Sequence, residues 1–266
     1  MTFICTHTRY IPLVVPLLGL WFSDRCAANC LWPQPGPCPI GRPAWTRVVF
    51  LSPAILALLL QGIPVDWATE TLVTVGATEG LAACFLGLLN PGDEVIMFDP
   101  MYDSYVSMAR RSGAAIVPVR LRLPDFSVPL EELAAAVGPQ TKMIMLNSPH
   151  NPSGKIFTRT ELEAIADLCI RHDVIALCDE VYEHLVFGGA KHISLRSLPG
   201  MAERCVRLGS AGKTFSFTAW KVGWMTGPSR LLNPIIKAHQ FLVFTVPSSL
   251  QRAVAHGLDR ESEFYL

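Results

Sequence analysis

One stretch decides the fold of this chain: Val206-Arg-Leu-Gly-Ser-Ala-Gly-Lys-Thr-Phe215. Its first four residues, 206–209, are typical of a strand, and small residues follow directly. Small residues let a ligand approach the backbone closely beside Lys213. Most lysines are solvated surface residues, so these neighbours are what make Lys213 a candidate for chemistry.

The rest of the chain from residue 62 alternates short β-rich runs with helical stretches, a pattern typical of βαβ units. Strands are predicted at residues 72–75, 95–98, 115–119, 142–146, 174–178, 206–209 and 222–226. Helices are predicted at residues 78–89, 102–112, 130–137 and 160–172, the last opened by a capping box of Thr160 and Glu163. The predicted fold class is α/β, with a mostly parallel mixed sheet flanked by helices.

The composition limits the kind of partner. The chain has 266 residues, is 50% apolar, and carries 22 basic and 22 acidic residues. Such a chain can bury a sizeable core. Its balanced charge gives no long-range field that would attract nucleic acid or an anionic membrane surface. We therefore expect a small-molecule partner, and neither nucleic acid nor membrane.

Residues 1–61 differ from the remainder. Asp24 is their only carboxylate, they contain no Glu and no Lys, and prolines cluster at residues 33–39. Nothing in them repeats at a helical or strand period. We expect an atypical, poorly ordered segment, or an altered start such as translation out of the ancestral frame.

Five polar or small residues come directly after predicted strands. They are Gly76, Asp99, Asn147, Asp179 and Ser210. The carboxyl ends of the strands are where open α/β sheets bind their ligands. The coincidence predicts one composite site at that edge.

The residue types at this edge suit an aldehyde cofactor, pyridoxal 5'-phosphate. A lysine such as Lys213 can hold it as a Schiff base and later move a proton. Asp179 could keep the pyridine nitrogen protonated, although an Asp after a strand is commonly a helix N-cap. Tyr182 and Asn151 could donate hydrogen bonds to the phenolic oxygen, although either alone is more often structural.

The remaining candidates would hold the phosphate or the ring. Gly76, Ala77 and Thr78 lie between a strand and a helix N-terminus, where backbone N–H groups bind anions. Ser210 and Lys221 could complete that cradle, although Gly-Ala-Thr alone is a weak signal. Tyr102 could stack on the pyridine ring, with plain packing nearly as good an explanation.

Four motifs together resemble fold-type I aminotransferases of class I and II. They are Thr74-Val-Gly-Ala-Thr-Glu-Gly80, Asn147-Ser-Pro-His-Asn-Pro-Ser-Gly154, Asp179-Glu-Val-Tyr182, and Ser210-Ala-Gly-Lys213 followed by Lys221-Val-Gly-Trp224. The likeness runs in order from residue 62 to the end. It is greatest to kynurenine, glutamine or methionine aminotransferases and to bacterial N-succinyldiaminopimelate aminotransferases.

The resemblance implies roles for these residues. Lys213 is the Schiff-base lysine, Asp179 the pyridinium partner and Tyr182 a phenolate partner, and these three form the catalytic set. The cofactor-binding set adds Gly76, Ala77, Thr78, Tyr102, Asn147, Asn151, Ser210 and Lys221. The family also implies amino-acid and 2-oxo-acid substrates and a homodimer, and no metal is expected.

The chain departs from the family at both ends. Residues 1–61 do not resemble the family's N-terminal segment, and the arginine that binds the substrate carboxylate in a C-terminal small domain has no counterpart. We therefore expect residues 62–266 to be a cofactor-binding large domain with its small domain largely missing. Transamination is the first functional hypothesis. Cysteine-conjugate β-elimination on the same cofactor and an inactive fragment are the alternatives.

The expected location is the cytoplasm. The apolar residues 11–22 have the length of a signal-peptide core and are too short to span a bilayer. A cytosolic cofactor argues against export, as do four thiols in apolar contexts typical of reduced proteins. These are Cys84, Cys169, Cys178 and Cys205. Cys26, Cys30 and Cys38 lack a CxxC pair or a nearby His, which argues against a zinc site.

Overall fold

The computed structural model describes residues 65–258. The helices are α1 (Trp67–Glu70), α2 (Gly76–Leu88), α3 (Asp103–Arg111), α4 (Leu130–Ala136), α5 (Arg159–Arg171), α6 (Ala211–Thr214), α7 (Ser229–Leu242) and α8 (Ser248–Leu258). The strands are β1 (Thr71–Thr74), β2 (Glu94–Asp99), β3 (Ala115–Arg120), β4 (Thr141–Asn147), β5 (Ile175–Asp179), β6 (Cys205–Ser210) and β7 (Gly223–Thr226). Short 3-10 turns lie at Leu195–Ser197 and Thr218–Trp220.

The strands form one seven-stranded mixed sheet in the order β1-β7-β6-β5-β4-β2-β3. Strand β7 is antiparallel to both of its neighbours, and the other strand pairs are parallel. Six strands therefore end at the same edge of the sheet. The predicted fold class, a mostly parallel mixed α/β sheet, is confirmed.

Helices cover both faces of the sheet, and successive residues of a strand alternate between the two cores. Met143 and Met145 of β4 pack in the cluster that contains α2 and α7. Ile144 and Leu146 of the same strand pack in the cluster that contains α5. Burial on both faces explains why the central strands are continuous apolar runs.

The seven predicted strands lie where expected, each within two residues of its predicted ends. The predicted capping box was wrong by two residues. Thr158, not Thr160, is the N-cap of α5, and its Oγ1 accepts a hydrogen bond from the Glu161 backbone N–H at 3.2 Å. Glu161 accepts the Thr158 N–H in return, at 2.8 Å.

Tertiary contacts select Glu161 for this role. Its carboxylate also accepts the Val128 N–H at 2.9 Å and pairs with Lys155 Nζ at 2.9 Å. Both side chains of the ion pair are nearly buried, so each needs the other. The capping glutamate thereby ties the start of α5 to two neighbouring loops.

Several sequence predictions fall outside the described residues. These concern residues 1–61, including the apolar stretch 11–22 and Cys26, Cys30 and Cys38. Within residues 65–258, every helix is too short or too polar to cross a bilayer.

Thr158→Ala should destabilise the protein by about 0.5–2 kcal/mol, because the first turn of α5 loses its cap. Denaturant unfolding followed by circular dichroism would measure this change in free energy. Thr160→Ala is the matched control, because Thr160 is an exposed threonine two residues further along the chain. This substitution should change stability by less than about 0.5 kcal/mol. Equal losses in both variants would contradict the assignment of the cap.

Candidate active site at the carboxyl edge of the sheet

A cavity of about 210 Å³ opens at the edge of the sheet where the parallel strands end. Ten of the eleven residues predicted to bind the cofactor line it: Gly76, Ala77, Thr78, Tyr102, Asn151, Asp179, Tyr182, Ser210, Lys213 and Lys221. Asn147 is the eleventh and lies behind the wall. Asp99 also ends a strand at this edge, but it pairs with Arg120 on the surface and does not line the cavity.

Lys213 reaches the cavity from α6, the short helix that follows β6. Its Nζ lies 5.2 Å from the centroid of the Tyr182 ring, within the range of a cation–π contact. The backbone beneath it is tightly packed, since a Cβ on Gly212 would lie 3.0 Å from the Thr218 Cα. The short helix that carries Lys213 is thus packed closely against the 3-10 turn that contains Thr218.

Asp179 is the last residue of β5, and only 4% of its surface is exposed. Tyr105 donates a hydrogen bond to Oδ2 at 2.6 Å, and the Val181 N–H donates one to Oδ1 at 3.3 Å. Burial raises the pKa of the Asp179 carboxyl above its ordinary value, whereas these two hydrogen bonds and the charge of Lys213 act in the opposite direction. A cationic N–H of a ligand would stabilise this carboxylate further.

Asn147 joins two walls of the cavity from behind. Its Nδ2 donates to the Asp179 carbonyl at 3.0 Å, and its Oδ1 accepts the Asn151 backbone N–H at 2.7 Å. One side-chain amide therefore fixes the segments that carry two of the predicted cofactor contacts. This geometry indicates support of the site by Asn147.

The start of α2 forms the third wall. The first N–H groups of a helix lack partners within the helix, so those of Ala77 and Thr78 can bind an anion. Gly76 has a φ of 70°, and a Cβ there would lie 3.6 Å from the Lys221 side chain. Only a glycine adopts such a backbone without strain.

A buried pair braces this helix start. The Glu79 carboxylate accepts the Val75 N–H at 3.0 Å, which satisfies the donor just before the helix. His239 Nδ1 of α7 lies 3.1 Å from both carboxylate oxygens. The anion-binding turn is thus connected to the helix that packs along α2.

A buried charge cluster supports the segment from Asp179 to Tyr182 on the side away from the cavity. Arg207 of β6 forms ion pairs with Glu180 and Glu183, and Ser194 donates to Glu180 at 2.8 Å. Burial is the largest single influence and by itself would raise the pKa of Glu180, but the charges and hydrogen bonds of Arg207 and His192 together outweigh it and lower that pKa to about 2. Glu180 therefore stays ionised at neutral pH.

Sequence reasoning missed six residues that line the cavity: Leu81, Tyr105, Val181, Gly212, Thr218 and Val222. Tyr105 had one local signal, because it follows Tyr102 by three residues at the start of a predicted helix and so shares its face. Thr218 comes from an irregular connection whose path no local pattern reveals.

The sheet order and the position of the cleft define the fold of pyridoxal-phosphate-dependent transferases. The chain belongs to the aminotransferases of class I and II, whose family model matches residues 49–265. The family predicted from the motifs is confirmed, and its cofactor is pyridoxal 5'-phosphate.

Individual relatives agree with this assignment. Kynurenine–oxoglutarate transaminase 1 of Rattus norvegicus is 42% identical over 217 residues, which are 77% of this chain and 51% of the relative. N-succinyldiaminopimelate aminotransferase from Mycobacterium tuberculosis has a solved structure with a TM-score of 0.78 and 41% identity, covering 80% of this chain and 56% of that one. The structure of YbdL from Escherichia coli, identified with a methionine aminotransferase function, has a TM-score of 0.76 and 38% identity. The match covers 80% of this chain and 55% of that one. The chain spans about half the length of the curated relatives it matches.

Gly223→Ala should damage the anion-binding turn. A Cβ there would lie 2.7 Å from the Gly76 carbonyl carbon and 2.8 Å from the Ala77 nitrogen, so this backbone must move. Overpacking of this kind costs about 1–3 kcal/mol. We expect a lower melting temperature and weaker binding of pyridoxal 5'-phosphate in an absorbance titration.

Gly138→Ala is the control, because nothing lies within 4 Å of a Cβ at that position. Unchanged cofactor affinity in Gly223→Ala would show that the turn does not hold the phosphate.

Proposed function

We propose that residues 62–266 are the pyridoxal-phosphate-binding large domain of an aminotransferase. The whole protein would transfer an amino group from an L-amino acid to a 2-oxo acid. The observation that carries this proposal is that Lys213 and Asp179, 34 positions apart in the chain, line one cavity with the amide-rich start of α2.

The donor groups of the cavity suit the cofactor's three polar parts. The N–H groups at the start of α2, with Ser210 and Lys221, would bind the phosphate. Asp179 would accept the ring N–H, and Tyr182 and Asn151 would donate to the phenolic oxygen. Tyr102, with 37% of its surface exposed at the mouth of the cavity, would cover the ring. Asn147 would hold two of these contacts in place.

Pyridoxal 5'-phosphate supplies an aldehyde that condenses with amines and a ring that withdraws electrons from the substrate α-carbon. Lys213 would bind it covalently through Nζ. As a free amine, Lys213 Nζ would accept a proton from the substrate α-carbon and donate it again, so this residue would act as both general base and general acid. Asp179 would keep the ring nitrogen protonated throughout.

Transamination is preferred over β-elimination because the three relatives described above carry transaminase or aminotransferase names. The names of these relatives contain different substrates: kynurenine, N-succinyldiaminopimelate and methionine. The proposal therefore extends to amino acids and 2-oxo acids as classes.

The wild-type chain should turn yellow with pyridoxal 5'-phosphate, and borohydride should fix the label on the peptide that contains Lys213. Lys213→Ala should lose both signals and transfer amino groups about 10²–10⁴-fold more slowly, because its general base is gone. Absorbance spectra, peptide mapping and glutamate formation from 2-oxoglutarate would measure these effects. Lys191→Ala, an exposed lysine away from the cavity, is the matched control.

Other outcomes would contradict the proposal. Release of pyruvate and ammonia from a cysteine conjugate, without amino transfer, would identify a β-lyase. A wild-type chain that neither binds the cofactor nor transfers amino groups would identify an inactive fragment.

We also propose that the protein is a cytoplasmic homodimer. Four consecutive apolar residues, 241–244, are exposed where α7 ends, and 86% of the Phe241 surface is accessible. Exposed apolar runs of this kind favour association, and a second copy of the chain is the partner expected for the family. Buried free thiols at Cys84, Cys169, Cys178 and Cys205 suit a reducing compartment.

Phe241→Ser should shift the protein from dimer to monomer in sedimentation velocity, because the second copy loses an apolar contact. Leu123→Ser removes another strongly exposed apolar side chain, 75% accessible, from the turn after β3 and should leave the dimer intact. A wild-type monomer, or equal dissociation in both variants, would contradict this proposal.

A further inference from the structure

We propose that Tyr105 is a positioning residue that acts through Asp179, orienting its carboxylate toward the ring nitrogen of the cofactor. This inference rests on the proposed function and deepens it. Among the motifs that identify the family, none includes Tyr105, and the inference comes from the geometry around Asp179.

The hydrogen bond between the two residues is short and buried. Tyr105 Oη lies 2.6 Å from Asp179 Oδ2, and only 3% of the Tyr105 surface is exposed. Hydrogen bonds to an ionised acceptor are shorter and stronger than neutral ones. Water cannot easily replace the phenol at this depth, so the side chain itself must satisfy the carboxylate.

The two hydrogen bonds to the carboxylate fix its plane. Val181 N–H approaches Oδ1 while Tyr105 approaches Oδ2, which prevents rotation about the last bond of the side chain. A carboxylate oxygen has more than one acceptor site, so both oxygens retain capacity for a ligand N–H. The structure thus presents a preoriented acceptor to the cavity.

The position of Tyr105 is itself constrained by Tyr102. Their rings pack edge to face, with centroids 5.4 Å apart and an interplanar angle of 80°. Tyr105 also belongs to the buried core formed by α2, α3 and α7. The start of α3 therefore places one ring at the cavity mouth and a phenol against the carboxylate.

The electrostatic balance at Asp179 supports this role. Burial raises the pKa of the carboxyl, Glu180 raises it further, and the Tyr105 hydrogen bond is the strongest opposing contribution. Without the Tyr105 phenol, the ionised form of Asp179 would be stabilised by the Val181 N–H and the Lys213 charge. A neutral carboxyl would be a poor partner for a protonated ring nitrogen.

A purely structural role makes a different prediction, since phenylalanine would fill the same core volume. The discriminating probe is 1-deazapyridoxal 5'-phosphate, in which a C–H group replaces the ring nitrogen. If Tyr105 acts through Asp179 on that nitrogen, its hydroxyl should matter for pyridoxal 5'-phosphate and not for the deaza analogue.

The experiment compares the Kd of both compounds for wild type and Tyr105→Phe in absorbance titrations. We expect Tyr105→Phe to weaken the binding of pyridoxal 5'-phosphate about tenfold, which is the effect of one hydrogen bond to a charged group. Binding of the analogue should weaken by less than about twofold. The ¹⁵N signal of labelled cofactor should also move toward that of the unprotonated ring. Ser107→Ala, which removes an exposed hydroxyl from the same helix, should change neither Kd.

A second pair of variants covers the case in which Tyr105→Phe does not fold. Asp179→Asn removes the buried charge, so adding Tyr105→Phe to it leaves no carboxylate without a donor. The quantity compared is the Kd of the deaza analogue divided by the Kd of pyridoxal 5'-phosphate. If Tyr105 acts through the carboxylate, this ratio should be the same in Asp179→Asn and in the double variant. A ratio that falls further in the double variant would overturn the inference.

The remaining outcomes separate the inference from the function on which it rests. Equal weakening of both compounds by Tyr105→Phe, or no weakening of either, would overturn the positioning role while leaving cofactor binding intact. Failure of the wild-type chain to bind pyridoxal 5'-phosphate would overturn the proposed function and this inference together.

Discussion

The carboxylate of Asp179 needs hydrogen-bond donors because it is buried at the end of β5, and the cleft is arranged around that need. Tyr105 and Val181 satisfy the carboxylate, and Asn147 holds the backbone carbonyl of the same residue. Tyr105 comes from α3 and Asn147 from β4, both far from Asp179 in the sequence, whereas Val181 lies in the turn directly after β5. The contacts of this one residue thus join α3 and β4 to the end of β5 at the rim of the cavity.

The direction of β7 explains how Lys213, Thr218 and Lys221 reach the opposite rim of the cavity. Because β6 and β7 are antiparallel and Ser210 is paired with Gly223, the connection between them begins and ends at the same edge of the sheet. That connection, residues 211–222, supplies Lys213, Thr218 and Lys221 to the cavity. A parallel strand in this place would have required a crossover to the far edge, which would have carried these side chains away.

The sheet and most of the candidate site could be predicted because their signals are local. Apolar runs marked the central strands, and polar residues at their ends marked the ligand edge. The capping box could not be resolved locally, since Thr158 with Glu161 and Thr160 with Glu163 both fit the pattern. Lys155 and the Val128 N–H decided between them through contacts that only the folded chain provides.

Two further features were beyond sequence reasoning for the same reason. The hydrogen bond from Tyr105 to Asp179 joins residues 74 positions apart. Arg207 sits within an apolar strand, and its partners Glu180 and Glu183 lie across the neighbouring strand end. In both cases the residue type was visible in the sequence, but its partner depended on how the sheet was ordered.

Asp179 and Glu180 are adjacent acidic residues whose side chains belong to separate environments. One lines the cavity, and the other is neutralised by Arg207 within the protein interior. Side chains alternate across a strand with a period of two, so sliding β5 by one position along β6 would exchange them. The pairing of Asp179 with Leu208 must therefore be maintained without a shift of even one residue. A shift of one residue there would place Glu180 in the cleft and bury Asp179 in the core, even if every strand still formed.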